Sequence, residues 1–277
     1  MNWLLQPASK TQITHLQRLW LYVLTVLTLI FLVAPTLIVI PMSFSPSDFL
    51  EFPPRGFSLR WYENYFYSTD WMTATFVSLR AAILSMLCAT SLGTAAAYGI
   101  WAGRSNGRTL LWGLFAMPMA IPIIILAIGA LFVLARLGLV NTTTGLVAMH
   151  TALALPLVLI VVTAGLASYD INQEQAARSL GATRPYAFFT VTLPQIKFSV
   201  ISAMLFSFFA SFDEVVVAMF ISNGPHATLN RRMFNSLRDS VDPTIAAIST
   251  CLIAVSIVLL VLGQIFKPRT NRSSAAE

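Results

Sequence analysis

The feature that most constrains this chain is a set of long windows without a single charge. No Asp, Glu, Lys or Arg occurs between Arg18 and Asp48, Arg80 and Arg104, Arg108 and Arg136, or Arg136 and Asp170. Two more windows run from Lys197 to Asp213 and from Asp242 to Lys267. An α-helix needs about 20 apolar residues to cross a bilayer, where every backbone group must be paired internally. Composition agrees: 57% of residues are hydrophobic, 10% are charged and the mean hydropathy is +0.75. A soluble domain is about 25% charged. The charges here are too few to coat a water-facing enzyme, and the apolar residues too many for a disordered chain. A length of 277 residues holds roughly six to eight spans and no sizeable extra domain.

The windows predict an all-α membrane protein with six transmembrane helices, at 19–41, 75–101, 110–135, 145–167, 198–222 and 244–266. Residues 75–267 form the core. The first window is too long for a signal-peptide core and lacks a small-residue cleavage site, so it is expected to remain a helix. With the N-terminus inside, the inner segments hold Lys10, Arg18, Arg104, Arg108, Arg178, Arg184, Lys197, Lys267, Arg269 and Arg272. The outer loops, 42–74 and 223–243 among them, hold Arg55, Arg60, Arg136, Arg231, Arg232 and Arg238, while Arg80 starts the second span. This bias places both termini, tails 1–18 and 268–277, in the cytoplasm. Arg231 and Arg232 run against the rule, partly offset by Asp239 and Asp242. The net charge of +6 then reflects basic inner loops and not a nucleic-acid partner. Cys88 and Cys251 sit far apart in apolar stretches without metal-binding spacing, so they are packing residues and no metal site is expected.

Pro35, Pro118, Pro122 and Pro156 interrupt the spans. Ordinary bending and a helix shaped around a path both account for them, since neighbouring helices satisfy the freed carbonyls.

The longest inner loop, 168–197, includes SYDINQEQAARSLGATRPYAFFTVTLPQI. Asp170 is a good N-cap with Gln173 as capping-box partner. A short helix over 171–180 is expected to end at Gly181 in the left-handed conformation. Thr183 caps a second short helix with Pro185 in its first turn, and Tyr186, Phe189 and Val191 give it an apolar side. Pro194 is expected to stop it before the fifth span.

This stretch resembles the "EAA" loop of ABC importer permeases: Glu-Ala-Ala, three residues, Gly, then a distal Leu-Pro. Ala176, Ala177, Gly181, Leu193 and Pro194 match, and Arg178, Ser179, Leu180 and Ala182 are also typical. The motif's glutamate falls on Gln175. The pair that this glutamate can make with the ATPase would then be a neutral hydrogen bond, or Glu174 would substitute from an adjacent face. FPPRGFSLRWYENYF (52–66), SFDEVVVAMFIS (211–222) and TLNRRMFNSLRDSVDPTIAAIS (228–249) are similar to the spermidine/putrescine branch, which also takes in opines and amino-acid-like amines. Within it the chain looks most like the second of the two permeases.

The resemblance implies a type I ABC importer permease fold with a cytoplasmic coupling loop between spans four and five. It implies a bacterial inner-membrane subunit that moves a small organic cation such as a polyamine inward by alternating access. The implied partners are a second permease, two ATPase subunits and a periplasmic solute-binding protein. ATP and Mg belong to the ATPases, and no cofactor is expected in this chain, which has no GxxxxGK[ST] phosphate loop. Glu174, Gln175, Ala176, Ala177, Gly181, Leu193 and Pro194 would form the ATPase-coupling element.

Asp213 and Glu214 lie inside the fifth predicted span. Charges at mid-membrane cost about 2.5–3.5 kcal/mol on insertion scales and face an interior or a water-filled path. They are read either as a transit site for a cationic solute or as a structural pair with a base such as Arg80. Trp61, Tyr62, Tyr65, Phe66, Tyr67 and Trp71 cluster in the first outer loop, as an interfacial anchor or as a contact for the binding protein. His150 reads as hydrogen-bonded packing more readily than as a proton relay. The outer loop 226–242 reads as a solvated loop or as a docking surface led by Arg231 and Arg232. Two other classes stay open: an ion-coupled secondary transporter using Asp213 and Glu214, and a non-transporting scaffold, which leaves the coupling loop unexplained.

Overall fold

The structure is a computed structural model and describes residues 14–103 and 107–265. Arg104, Lys10, Lys267, Arg269, Arg272, Phe266 and tail 268–277 lie outside the described residues, as does most of tail 1–18. Two compact units are formed: Met1–Tyr67 with Ser236–Glu277, and Ser68–Asn235.

The first unit holds α1 (Leu19–Met42), α2 (Arg60–Tyr67) and α13 (Thr244–Ile265). α1 is apolar all round and buries no residue within the chain, as a helix facing lipid does. In α2 the aromatics divide: Trp61 and Tyr65 are buried, Phe66 and Tyr67 exposed. Trp61 Nε1 donates to the Ser45 carbonyl at 2.9 Å, and Asn64 Nδ2 donates to Thr244 Oγ1 at 2.8 Å, tying α2 to α13. These indole and amide groups satisfy their polar ends while their bodies pack.

The second unit holds α3 (Thr69–Ala102), α4 (Arg108–Ala120), α5 (Ile123–Arg136), α6 (Thr143–Ala167), α7 (Asn172–Ser179) and α8 (Arg184–Ala187). A π-helical turn (Phe188–Thr192), α9 (Leu193–Gln195), α10 (Lys197–Phe212), α11 (Val216–Ile221) and the start of α12 (Leu229–Asp239) follow. α3, α6 and α10 pack on one another. α3 buries small residues every three or four positions: Ala74, Ser78, Ala81, Ser85, Ala89, Gly93 and Ala97. Such a stripe lets helices approach closely in a membrane, where packing rather than water exclusion drives association. At Gly93 the approach is so close that an added Cβ would lie 2.6 Å from Val158 Cγ1. One apolar cluster joins Ala97, Ile100, Leu159, Val162, Leu166 and Ile196, and another joins Ala81, Leu134, Leu146, Val217 and Ile221.

Two predicted spans are not single helices. The window 110–135 becomes α4 and α5, bent by 101°. Pro122 causes the break: the residue before a proline is pushed out of the helical region, and Ile121 is extended at φ −90°, ψ 133°. The window 198–222 becomes α10 and α11, separated at Asp213 to Val215. Pro156, by contrast, stays inside a continuous α6. Among the described residues α1, α3 and α6 are each long and apolar enough to cross a membrane, and there are up to five crossings if α4 with α5, and Arg184–Gln195 with α10, each count as one.

Candidate functional site

The inner loop folds close to the expected plan. Asp170 Oδ1 accepts the Asn172 N–H at 3.0 Å, and Gln173 joins through its backbone, donating to the Asp170 carbonyl at 3.3 Å. α7 ends before Gly181, whose φ of +96° is the left-handed conformation that stops a helix, and whose Cα faces open space. α8 opens at Arg184 with Pro185 in its first turn. Pro194 does not stop the second helix. The chain passes through the π-turn Phe188–Thr192 into α9 and bends 80° only before Lys197. A proline lacks an N–H and its ring clashes with the carbonyl four residues back, and a wide turn just ahead absorbs both defects.

The two acceptor candidates of the motif differ in exposure. Gln175 and Ala176 are exposed and Ala177 is half-buried. Glu174 is 2% exposed and turned into the unit. Its Oε1 accepts the Tyr98 hydroxyl at 2.6 Å and its Oε2 the Thr192 hydroxyl at 2.7 Å. In this conformation Glu174 therefore does not stand in for the missing outward glutamate, because burial on α3 has claimed it. Around it the loop shows apolar surface: Leu180, Tyr186 and Phe189 are exposed, which a solvated hairpin has no reason to display. Leu193 is half-buried and Pro194 exposed.

At the far end of α10 lie the acids. Asp213 is exposed, and Asn230 Nδ2 donates to its Oδ1 at 3.3 Å and to the Phe212 carbonyl at 3.1 Å. Glu214 is half-buried, and its Oε1 accepts the Val217 N–H at 2.9 Å, which caps α11. The break thus has a local cause, since a carboxylate at a helix start satisfies a backbone donor that would otherwise be free. Arg80 forms no ion pair with either acid.

α12 is fixed by its arginines. Arg231 donates to the Ala218 carbonyl at 3.0 Å, and partial burial lowers its pKa below the ordinary value. Arg232 pairs with Asp70 at 2.5 Å and lies over the ring of buried Trp71 at 5.3 Å. His150 is buried and shares a hydrogen bond of 2.8 Å with Ser211, in keeping with packing. Sequence reasoning missed Tyr98, Thr192, Asn230 and Asp70. Each is a common polar residue whose importance comes from a partner distant in sequence.

Residues 89–272 match the family model described as binding-protein-dependent transport system inner membrane component. The spermidine/putrescine transport system permease protein PotC of Haemophilus influenzae is 29% identical over 241 residues, covering 87% of this chain and 93% of that protein. The putrescine transport system permease protein PotI of Escherichia coli strain K12 is 32% identical over 247 residues, covering 86% and 88%. One solved structure, a bacterial alginate ABC transporter in complex with an alginate pentasaccharide-bound periplasmic protein, is similar in fold, with TM-score 0.69 and 17% identity over 89% of this chain and 92% of that one. With the family match over about two thirds of its length and a permease 32% identical over 86% of it, the chain belongs to the binding-protein-dependent transport system inner membrane components and is a permease subunit of an ABC importer.

Proposed function

We propose that this permease carries a small organic cation, of the polyamine type, from periplasm to cytoplasm. The observation that carries this reading is the geometry of α10. The loop with the coupling motif leads into its first residue, Lys197, and Asp213 and Glu214 follow its last, Phe212. Sixteen residues make a rod of about 24 Å, so one rigid element joins the loop to an acidic helix break. Discontinuous helices with charges at the gap are a recurrent way to handle polar solutes in a membrane. The acids suit a cationic solute, and the similarity to polyamine permeases supports that class.

In this reading Gln175, Ala176, Ala177 and Gly181 meet a groove on an ATPase subunit, with exposed Leu180, Tyr186 and Phe189 as the apolar contribution. Two ATPases, a second permease and a periplasmic binding protein complete the machine in the bacterial inner membrane. Arg231 and Arg232 belong to the docking surface for the binding protein. A docked acidic group would have to compete with Asp70 for Arg232.

The test is uptake by the complete importer in proteoliposomes with radiolabelled putrescine or spermidine. Asp213→Asn is expected to slow uptake roughly tenfold, the value of about one charge-assisted contact. Unchanged uptake would remove Asp213 from the path. Driven uptake by this chain alone, under an ion gradient and without ATP, would replace the importer reading by the secondary-transporter one.

A further inference from the structure

Glu174 is the one fully buried carboxylate among the described residues. Taking a carboxylate out of water is unfavourable unless its lone pairs are matched by donors. Both of its oxygens are matched, by hydroxyls from different parts of the unit: Tyr98 from α3 and Thr192 from the π-turn that leads toward α10. Each hydroxyl has a second neighbour: Arg184 Nε donates to the Tyr98 oxygen at 3.4 Å, and Thr192 Oγ1 is also within reach, as a donor, of the Tyr169 hydroxyl oxygen at 3.2 Å. A hydroxyl has a single proton, and that of Thr192 goes to the nearer, charged oxygen of Glu174. The bonds from Arg184 to Tyr98 and from Tyr98 to Glu174 run in one direction, and aligned bonds of this kind strengthen one another. Rings brace the arrangement: Tyr98 packs on Phe188 at 4.6 Å between centroids, and Trp101 on Tyr169 at 5.8 Å.

From this geometry we infer that Glu174 is a positioning residue that clamps the underside of α7 to the bundle. A push on the exposed Gln175 and Ala176 then reaches α3 through Tyr98 and the approach to α10 through Thr192. The inference rests on the reading of 168–197 as the coupling loop. It assigns Glu174 to transmission within this chain, not to contact with the ATPase, and it explains why the outward position of the motif can be a neutral glutamine. The carboxylate is kept on the inner side, where two segments must be held by one group.

The experiment uses the complete importer in proteoliposomes and measures solute imported per ATP hydrolysed, together with the ATPase subunits retained on purification through this chain. Tyr98→Phe removes one oxygen and leaves the ring packing. Thr192→Val removes the other donor at constant volume. Each is expected to lower the import-to-hydrolysis ratio several-fold, and Glu174→Ala by about tenfold, the change associated with loss of a hydrogen bond to a charged group. Glu174→Gln, which keeps an acceptor of the same shape, should recover part of the ratio. Tyr98→Phe combined with Glu174→Ala should be no worse than Glu174→Ala alone, because both break the same clamp. The ATPase subunits should stay bound throughout. Normal ratios in both Tyr98→Phe and Thr192→Val would overturn the inference, even if Glu174→Ala failed to assemble. Loss of the ATPase from a folded Glu174→Gln complex would overturn it too, by returning Glu174 to the contact surface. If the wild-type complex did not import with ATP, the importer reading itself would fall, which separates the two outcomes.

Discussion

Gly181 and Gly93 are both glycines for reasons visible at a single residue, and the reasons differ. Gly181 needs its backbone conformation: φ is +96°, and nothing lies within 4 Å of an added Cβ. Gly93 needs its missing side chain, since α3 has an ordinary helical backbone there and Val158 fills the space. Substituting each with alanine should therefore separate strain from overpacking. Gly181→Ala is expected to cost about 1–2 kcal/mol locally, to leave the bundle assembled, and to loosen the turn between α7 and α8. Gly93→Ala should cost a similar 1–3 kcal/mol but to the whole α3–α6 contact, because overpacking forces the helices apart. Thermal unfolding in detergent should show a lower midpoint for Gly93→Ala and a near-native one for Gly181→Ala. Coupling of ATP hydrolysis to uptake should fall for Gly181→Ala. The reverse pattern would mean that the loop turn, not the α3–α6 seam, supports the fold. The left-handed conformation of Gly181 was legible from its place after a capped helix. Gly93 was not, since only the Val158 side chain, contributed from α6, makes the space matter.

At the scale of elements, the break between α10 and α11 depends on one cap. Glu214 supplies Oε1 to the Val217 N–H, and α11 is only six residues long, so it has little else to hold its start. Loss of a capping side chain costs about 1 kcal/mol, which is near fivefold in an opening equilibrium. Glu214→Ala should therefore speed hydrogen exchange at the Val216 to Met219 amides about fivefold while leaving α10 protected, and Asp213→Asn should not. Equal protection in both variants would show that packing of α11 on α5, not the cap, fixes the break. The apolar windows 19–41 and 145–167 coincide to within a few residues with α1 and α6, and window 244–266 begins where α13 does, because a charge or a cap bounds each run. The break at Asp213 was not legible, and nothing in the sequence singled out Pro122, among the four prolines that interrupt the windows, as the one that turns its helix by 101°. An apolar run records that a segment prefers lipid or a core, but carries no information on its direction. The inward turn of Glu174 was hidden for a related reason. Neighbours on a helix point about 100° apart, and only Tyr98, 76 residues away in sequence, decides which of Glu174 and Gln175 faces the bundle.

For the molecule as a whole, function depends on which side of the membrane receives each end of α10. The excess of Lys and Arg in the segments assigned inside argues for the coupling loop in the cytoplasm, where ATPases are, and for α12 on the outside. The two ends of α10 make the assignment all-or-none. If the loop that precedes Lys197 is inside, the acids that follow Phe212 lie towards the other face, as the proposed path requires. Cysteine labelling decides the matter. With Cys88 and Cys251 replaced by alanine, Ser179→Cys on α7 should react with a membrane-impermeant maleimide only after the inner membrane is permeabilised. Ser47→Cys, in the loop after α1, should react in intact spheroplasts. Opposite accessibilities would place the coupling motif outside, away from any source of ATP. The importer direction would fail with it, although the family and the fold would stand. Protection of both sites before and after permeabilisation would mean that these loops are covered by partners, and the same labelling after the ATPases are stripped off should then expose Ser179→Cys alone.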